Sequence, residues 1–461
     1  MTPADITPFQ AATPNPTDST ARICITGLPE WIAAQDYSAQ LALRALADLL
    51  NNVPARAPER DAFERFCERS LGLPIAELVN ETHNLSGVGR ITGGLAIAEL
   101  LNAHQPQTGP HSYRLEPPQW DTFEAGSETL HFPTDVAFYT DAVVPGLDAV
   151  VALRSTPALS RGEVSNIAVH VRPDDQQHGR KLLQQILSRA DELNIFRGRV
   201  LQATLGNHGL AFEIINTPNT TRSKIIATED VWDEIDLNVR GVSSQHSTMT
   251  ELGLGGRRGV LLAGPPGVGK SAIASVIAAE MAGQFTVVYC DATAGTSQLS
   301  DVFTECVQLG PALVIIEDVD LIVGRRGGMG SRPLALSEFL AALDSHTDAP
   351  LLVVATTNDV TTLDSAAVRA ARFDSIIEVP YPSTTVARQI FSSLLHGVPG
   401  SADVDIDAVA ACLPPQTSGA DIREIVRRAV LHPHPVSTTT LKKHIASGRY
   451  RPTMPTHGNY L

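Results

Sequence analysis

Gly264-Pro265-Pro266-Gly267-Val268-Gly269-Lys270-Ser271 is the stretch of this 461-residue chain that decides its fold. It satisfies G-x-x-x-x-G-K-[ST], and it sits between an apolar run at 259–263 and a helical pattern over 271–282. That setting is what a phosphate-binding loop requires. Its glycines let the backbone turn tightly enough to aim N–H groups at phosphate oxygens, and the helix that follows adds its positive end. Lys270 supplies a point charge, and the Ser271 hydroxyl suits Mg²⁺. Gly264, Pro265, Pro266, Gly267, Val268, Gly269, Lys270, Ser271 and Ala272 are the expected nucleotide contacts.

Outward from the loop, apolar runs recur at 259–263, 286–290, 313–316, 351–355 and 376–379, with helical segments between them. Near-continuous apolar strands alternating with helices predict an α/β domain, its parallel sheet covered on both faces. Two of these strands end in polar groups. Ile316 leads into Glu317-Asp318-Val319-Asp320, and Ala355 leads into Thr356-Thr357-Asn358. Carboxylates at the C-terminal edge of such a sheet emerge beside the phosphates, where one can hold hydrated Mg²⁺ and its neighbour can polarise the attacking water. An uncharged amide such as Asn358 can touch the γ-phosphate or that water. Further on, Arg369 and Arg372 lie three residues apart, a helical spacing that puts both guanidinium groups on one side. Guanidinium groups match transferring phosphoryl oxygens.

As an ordered set, Gly264–Ser271, 315–320, Thr357-Asn358, 369–374 and Ser418-Gly419-Ala420-Asp421 resemble the AAA family of AAA+ ATPases over about 223–447. The resemblance implies a sheet of five parallel strands in the order 5-1-4-3-2 with a helical lid. It also implies ATP bound between the subunits of a ring, usually a hexamer. On that basis Glu317 takes the magnesium role and Asp318 the water-activating role. Asn358 is the first sensor, Gly419 and Ala420 are the lid contact with nucleotide, and Arg369 and Arg372 are arginine fingers reaching a neighbour's ATP. The Glu317-Asp318 order reverses the usual Asp-Glu. It is similar to the subfamily that includes the mitochondrial Rieske-protein translocase. Members that thread polypeptides carry an aromatic residue in the loop after the second strand. Here 291–303 has none before Phe303, and a second loop at 324–332 is Gly-rich and basic.

The rest of the chain is less legible. Residues 1–21 are Pro- and Thr-rich without an apolar core segment, and read as a disordered tail and not as a signal peptide. An α+β block is expected over 22–222, with a possible break near 105–119. Within it, helices are predicted near 42–50, 61–71 and 174–193. Strands are predicted at 128–132, 135–139, 149–153, 166–171, 198–203 and 211–215. The nucleotide domain is placed at 223–382, the helical lid at 383–447 and a tail at 448–461.

A formal charge of −15 argues against a general polyanion binder. Five scattered cysteines with no C-x-x-C pair fit buried thiols in a reducing cytoplasm, and no apolar run is long enough to span a membrane. Three functions remain open: a ring-forming ATPase remodelling a protein, an ATP-dependent assembly scaffold with weak hydrolysis, and, least favoured, a nucleic-acid motor suggested only by Arg325, Arg326 and Arg332.

Overall fold

The computed structural model describes residues 37–50, 61–112, 116–158, 162–206, 209–291, 296–320, 341, 347–359 and 373–451. The chain divides into two units, Met1–Arg60 and Asp61–Leu461. In the first, Tyr37–Leu50 forms helix α1, where the spacing of Ala42, Leu43, Leu46, Leu49 and Leu50 predicts one.

The second unit opens with α2 (Ala62–Leu71), whose N-terminus is capped by Asp61 accepting from the N–H groups of Phe63 and Glu64. Strand β1 (Val79–Leu85) and helix α3 (Gly87–His104) follow. Then come β2 (Thr108–Gly109), β3 (Gln119–Ala125), β4 (Glu128–Tyr139), β5 (Ala149–Ala158) and β6 (Gly162–Val171), and α4 (Gln176–Glu192). The strands make an antiparallel sheet of order β1-β6-β5-β4-β2, with β3 paired to β4 alone. Strand alternation divides its side chains. Val136, Phe138, Val151 and Leu153 pack with α3 and α4, while Ala137, Val150 and Ala152 pack with Phe63, Phe66 and Cys67 of α2.

Two features of this sheet depart from the sequence reading. The strands predicted at 128–132 and 135–139 are one strand. Pro133 stands at the register shift just before β4 exchanges its partner: residues up to Asp135 pair with β3, and Val136–Tyr139 pair with β5. A missing N–H is tolerated at such a change-over. Helix α3 carries no helical signal because it is apolar on several sides and rich in glycine. The glycines serve packing: a Cβ on Gly94 would sit 2.6 Å from the Phe132 ring.

Strands β7 (Val200–Gly206) and β8 (Gly209–Ile215) come next, followed by α5 (Glu229–Val242) and α6 (His246–Glu251). The remaining alternation is β9 (Arg258–Ala263), α7 (Lys270–Met281), β10 (Thr286–Asp291), α8 (Thr296–Gln308), β11 (Ala312–Glu317), β12 (Leu351–Thr357) and β13 (Ser375–Glu378). The second sheet runs β13-β9-β12-β11-β10-β7-β8. Its first five members, numbered along the chain, are the expected 5-1-4-3-2, all parallel. It is longer than expected, because β7 joins β10 in parallel and β8 closes the edge antiparallel. From the sequence alone, these two strands group with the N-terminal block. They join the larger sheet because β7 is apolar on both faces. Val200 packs with α5 and α7, and Leu201 and Ala203 pack with α8 and Phe212. A strand buried on both sides belongs inside a parallel sheet.

The N-terminal elements are anchored to this sheet by a buried carboxylate. Glu305 of α8, 7% exposed, accepts the N–H groups of Gly87 and Val88 at 2.8 and 3.3 Å, at the first turn of α3. The lid consists of α9 (Thr384–Leu395), α10 (Ile406–Ala410), α11 (Gly419–Val430) and α12 (Thr438–Ser447) around Phe391, Ile422, Ile425 and Leu441.

Candidate functional site

The loop between β9 and α7 rises from the C-terminal edge of the sheet, where β11 and β12 also end. Its backbone needs glycine at two points. A Cβ on Gly264 would lie 2.1 Å from the Val379 carbonyl oxygen. Gly267 has φ +79°, and a Cβ there would meet Ser418 Oγ at 2.9 Å and the Ala420 methyl at 3.0 Å. The lid is therefore seated on the loop, and the Ala420 N–H donates to the Gly267 carbonyl at 2.9 Å. Ser418 and Asp421 form a reciprocal cap that fixes this first turn of α11, and Arg451 donates to Asp421 at 2.8 Å.

Lys270 is 5% exposed. Its ammonium donates to Gly264 O at 2.7 Å, Pro265 O at 2.9 Å and Asn358 Oδ1 at 2.9 Å. Burial pulls its pKa below the ordinary lysine value, and the Asp318 and Asp320 carboxylates oppose that shift. The other end of the Asn358 amide donates to Asp318 Oδ1 at 2.9 Å. Asp318 has φ +52°, unusual for a residue with a side chain, and its N–H is held by Thr356 Oγ1 at 2.9 Å. Asp320 accepts from the Asn358 N–H at 3.0 Å and from Thr357 Oγ1 at 3.2 Å, which fixes the end of β12.

These groups border a cavity of about 440 Å³. One wall is Pro266 through Ala272 with Asp318 and Asn358, a second is Lys224, Ile225 and Ile226, and the lid supplies Ile390, Leu394, Gly419, Ala420 and Arg423. Of the residues singled out in the sequence, the structure brings Pro266 through Ala272, Asp318, Asn358, Gly419 and Ala420 to one cavity, whereas Gly264 and Pro265 stand outside its wall with their carbonyls on the Lys270 ammonium. Glu317 is not in its wall; it ends β11 opposite Asp291 of β10. Arg369 and Arg372 lie outside the described residues, as does the loop at 324–332. Sequence reasoning missed Ile225, Ile226, Ile390, Leu394 and Arg423. Ordinary apolar pairs and a helical arginine carry no spacing signal, and only the fold brings them to the loop.

Residues 260–381 match the family model described as "ATPase family associated with various cellular activities (AAA)". This segment is an AAA domain. Curated relatives match the chain over a longer stretch than this segment. An ATP-dependent zinc metalloprotease FtsH of Cutibacterium acnes is 29% identical over 228 residues, 47% of this chain and 32% of that protein. FtsH 3 of Sphaerobacter thermophilus, with the same descriptive name, is 31% identical over 264 residues, 54% of this chain and 53% of that protein. FtsH 2 of Salinibacter ruber is 36% identical over 193 residues, 39% of this chain and 28% of that protein. The chain thus spans about a third to a half of the length of the relatives it matches. Zinc belongs to those proteins' names and is said of them alone.

Proposed function

We propose that the chain binds and hydrolyses ATP and uses the cycle to remodel a protein partner. The observation that carries this reading is the convergence of Lys270, Asn358 and Asp318 on the cavity beneath Gly419 and Ala420. The apolar walls Ile225, Ile226 and Ile390 suit a base, and the loop and the start of α7 suit the phosphates.

In this reading, Lys270 turns one of its three donors from a loop carbonyl or Asn358 to a phosphate oxygen. Asn358 then orients the attacking water beside Asp318, whose carboxylate takes up its proton as the γ-phosphoryl leaves ADP. Ser271 and Glu317 offer a hydroxyl and a carboxylate, hard oxygen donors of the kind Mg²⁺ accepts while keeping most of its water. Bound Mg²⁺ would neutralise charge on the phosphate oxygens. Arg369 and Arg372 are proposed to complete the site of a neighbouring subunit in a ring, for which a hexamer is the expected size. The absence of an aromatic residue in 291–302 speaks for remodelling without threading.

The compartment proposed is the cytoplasm. It is supported by free Cys67, Cys290, Cys306 and Cys412 among the described residues. No helix among those residues is long and apolar enough to cross a membrane.

Steady-state phosphate release by the full chain and by D318N tests the reading. Saturable ATP turnover that falls about 100-fold in D318N, with ATP retained on the protein, is the expected result. No release from the natural chain, or full activity in D318N, would contradict it.

A further inference from the structure

Between β8 and α5 the chain makes a short helical turn, Arg222–Lys224, and then passes Ile225 and Ile226 along the cavity wall. Four residues that line no part of the cavity hold this turn. The Arg222 guanidinium donates to Asp236 of α5 through two nitrogens, at 2.9 and 2.6 Å. It also donates to Glu280 of α7, with Nε at 2.9 Å and Nη2 at 2.8 Å. Its carbon lies 4.8 Å from the centre of the Trp232 ring. Two bidentate carboxylates and an aromatic face use the whole planar fork, an arrangement an ammonium cannot reproduce. Isolated surface pairs contribute little, but a bidentate network restrains geometry.

The network matters because of what its members belong to. Glu280 is in the last turn of α7, the helix whose first residue is Lys270. Arg222 therefore connects the segment carrying Ile225 and Ile226 to the far end of the helix that starts at the phosphate loop. Among the described residues, the main-chain N–H and C=O of Ile226 have no partner within the chain. A donor and an acceptor held beside apolar walls can read the edge of a base. Adenine offers an amino donor beside a ring-nitrogen acceptor, whereas guanine offers the reverse.

Resting on the nucleotide reading above, we propose that Arg222 is the positioning residue for the base end of the cavity. By bridging Asp236 and Glu280 it holds Ile225 and Ile226 at a fixed distance from the phosphate loop, and it sets both affinity for the nucleotide and preference for adenine. It lines no part of the cavity, so its loss acts on binding and not on the chemical step.

The test is steady-state kinetics of the full chain with ATP and with GTP. R222A is expected to raise KM for ATP about 10-fold with kcat within about twofold, and to narrow the preference for ATP over GTP. R222K is expected to recover part of the loss. D236N, which keeps the Glu280 pair and the Trp232 face and so protects folding, should raise KM about threefold. Saturable turnover by the natural chain with KM unchanged in R222A and D236N overturns the role of Arg222 alone. A fall in kcat at unchanged KM does the same. No saturable turnover by the natural chain overturns the nucleotide reading and this role together.

Discussion

The ammonium of Lys270 donates to Oδ1 of Asn358 across 2.9 Å, so the first residue of α7 and the end of β12 are in direct contact. The opposite side of the same amide donates to Asp318. An ammonium can only donate and a carboxylate can only accept, so these two neighbours fix which way the Asn358 amide faces. One uncharged side chain thus links the group that would hold phosphate to the group that would activate water.

Removing that link should separate binding from chemistry. Asn358→Ala leaves the loop and Lys270 in place but frees Asp318 from its donor. The expected outcome is ATP affinity within a few-fold of the natural chain and turnover down about 10- to 100-fold, read by nucleotide titration alongside single-turnover phosphate release. Equal losses in both would mean that Asn358 only supports the fold.

Gly264 is constrained by contact. The 2.1 Å approach of a Cβ to the Val379 carbonyl involves backbone that is itself held, since the Val379 N–H donates to Ala263 O at 2.7 Å. Gly264→Ala must therefore push β13 from β9 or displace the loop, and a loss of roughly 2 kcal/mol or more with weakened nucleotide binding is expected. Gly283→Ala is the comparison: its φ is +91° but nothing lies within 4 Å, so only the backbone cost of about 1 kcal/mol applies. Urea midpoints of the two variants, if equal, would remove the contact argument.

Acid should loosen the N-terminal sheet through His170. Buried beneath Phe63, whose ring centre is 5.2 Å away, and beside the Arg154 charge, its imidazole is pushed down to about 4 from an ordinary 6.5. The unfolded chain therefore takes up this proton first as pH falls. Stability is full above about pH 6.5 and is lost progressively as the pH drops toward 4. Between neutrality and about pH 5 the loss should be of order 2 kcal/mol. His170→Phe should flatten that part of the urea-midpoint profile, and an unchanged profile would refute the assignment.

How far the sequence carries depends on which forces leave a local trace. The loop, the five strands behind it and the lid helices are legible because glycine, lysine and apolar periodicity act within a few residues. Asp318 and Asn358 are legible because strand ends in a parallel sheet converge on one edge. Strand β7 is assigned to the wrong sheet in that reading because the sequence shows an apolar run but not its partner, and pairing across 87 residues, as between Gln202 and Tyr289, leaves no local pattern. Helix α3 is hidden by its packing glycines. Ile225 and Arg222 are invisible for a related reason, since their importance lies in where Asp236 and Glu280 bring them.

The most direct measurement is a calorimetric titration of the full chain with a slowly hydrolysed ATP analogue and Mg²⁺, run in parallel on Lys270→Ala. The natural chain should take up one nucleotide per chain with a dissociation constant on the order of micromolar, and Lys270→Ala should weaken it at least about 100-fold. Absence of binding by the natural chain, or equal affinity in the variant, would contradict a nucleotide site built around Lys270.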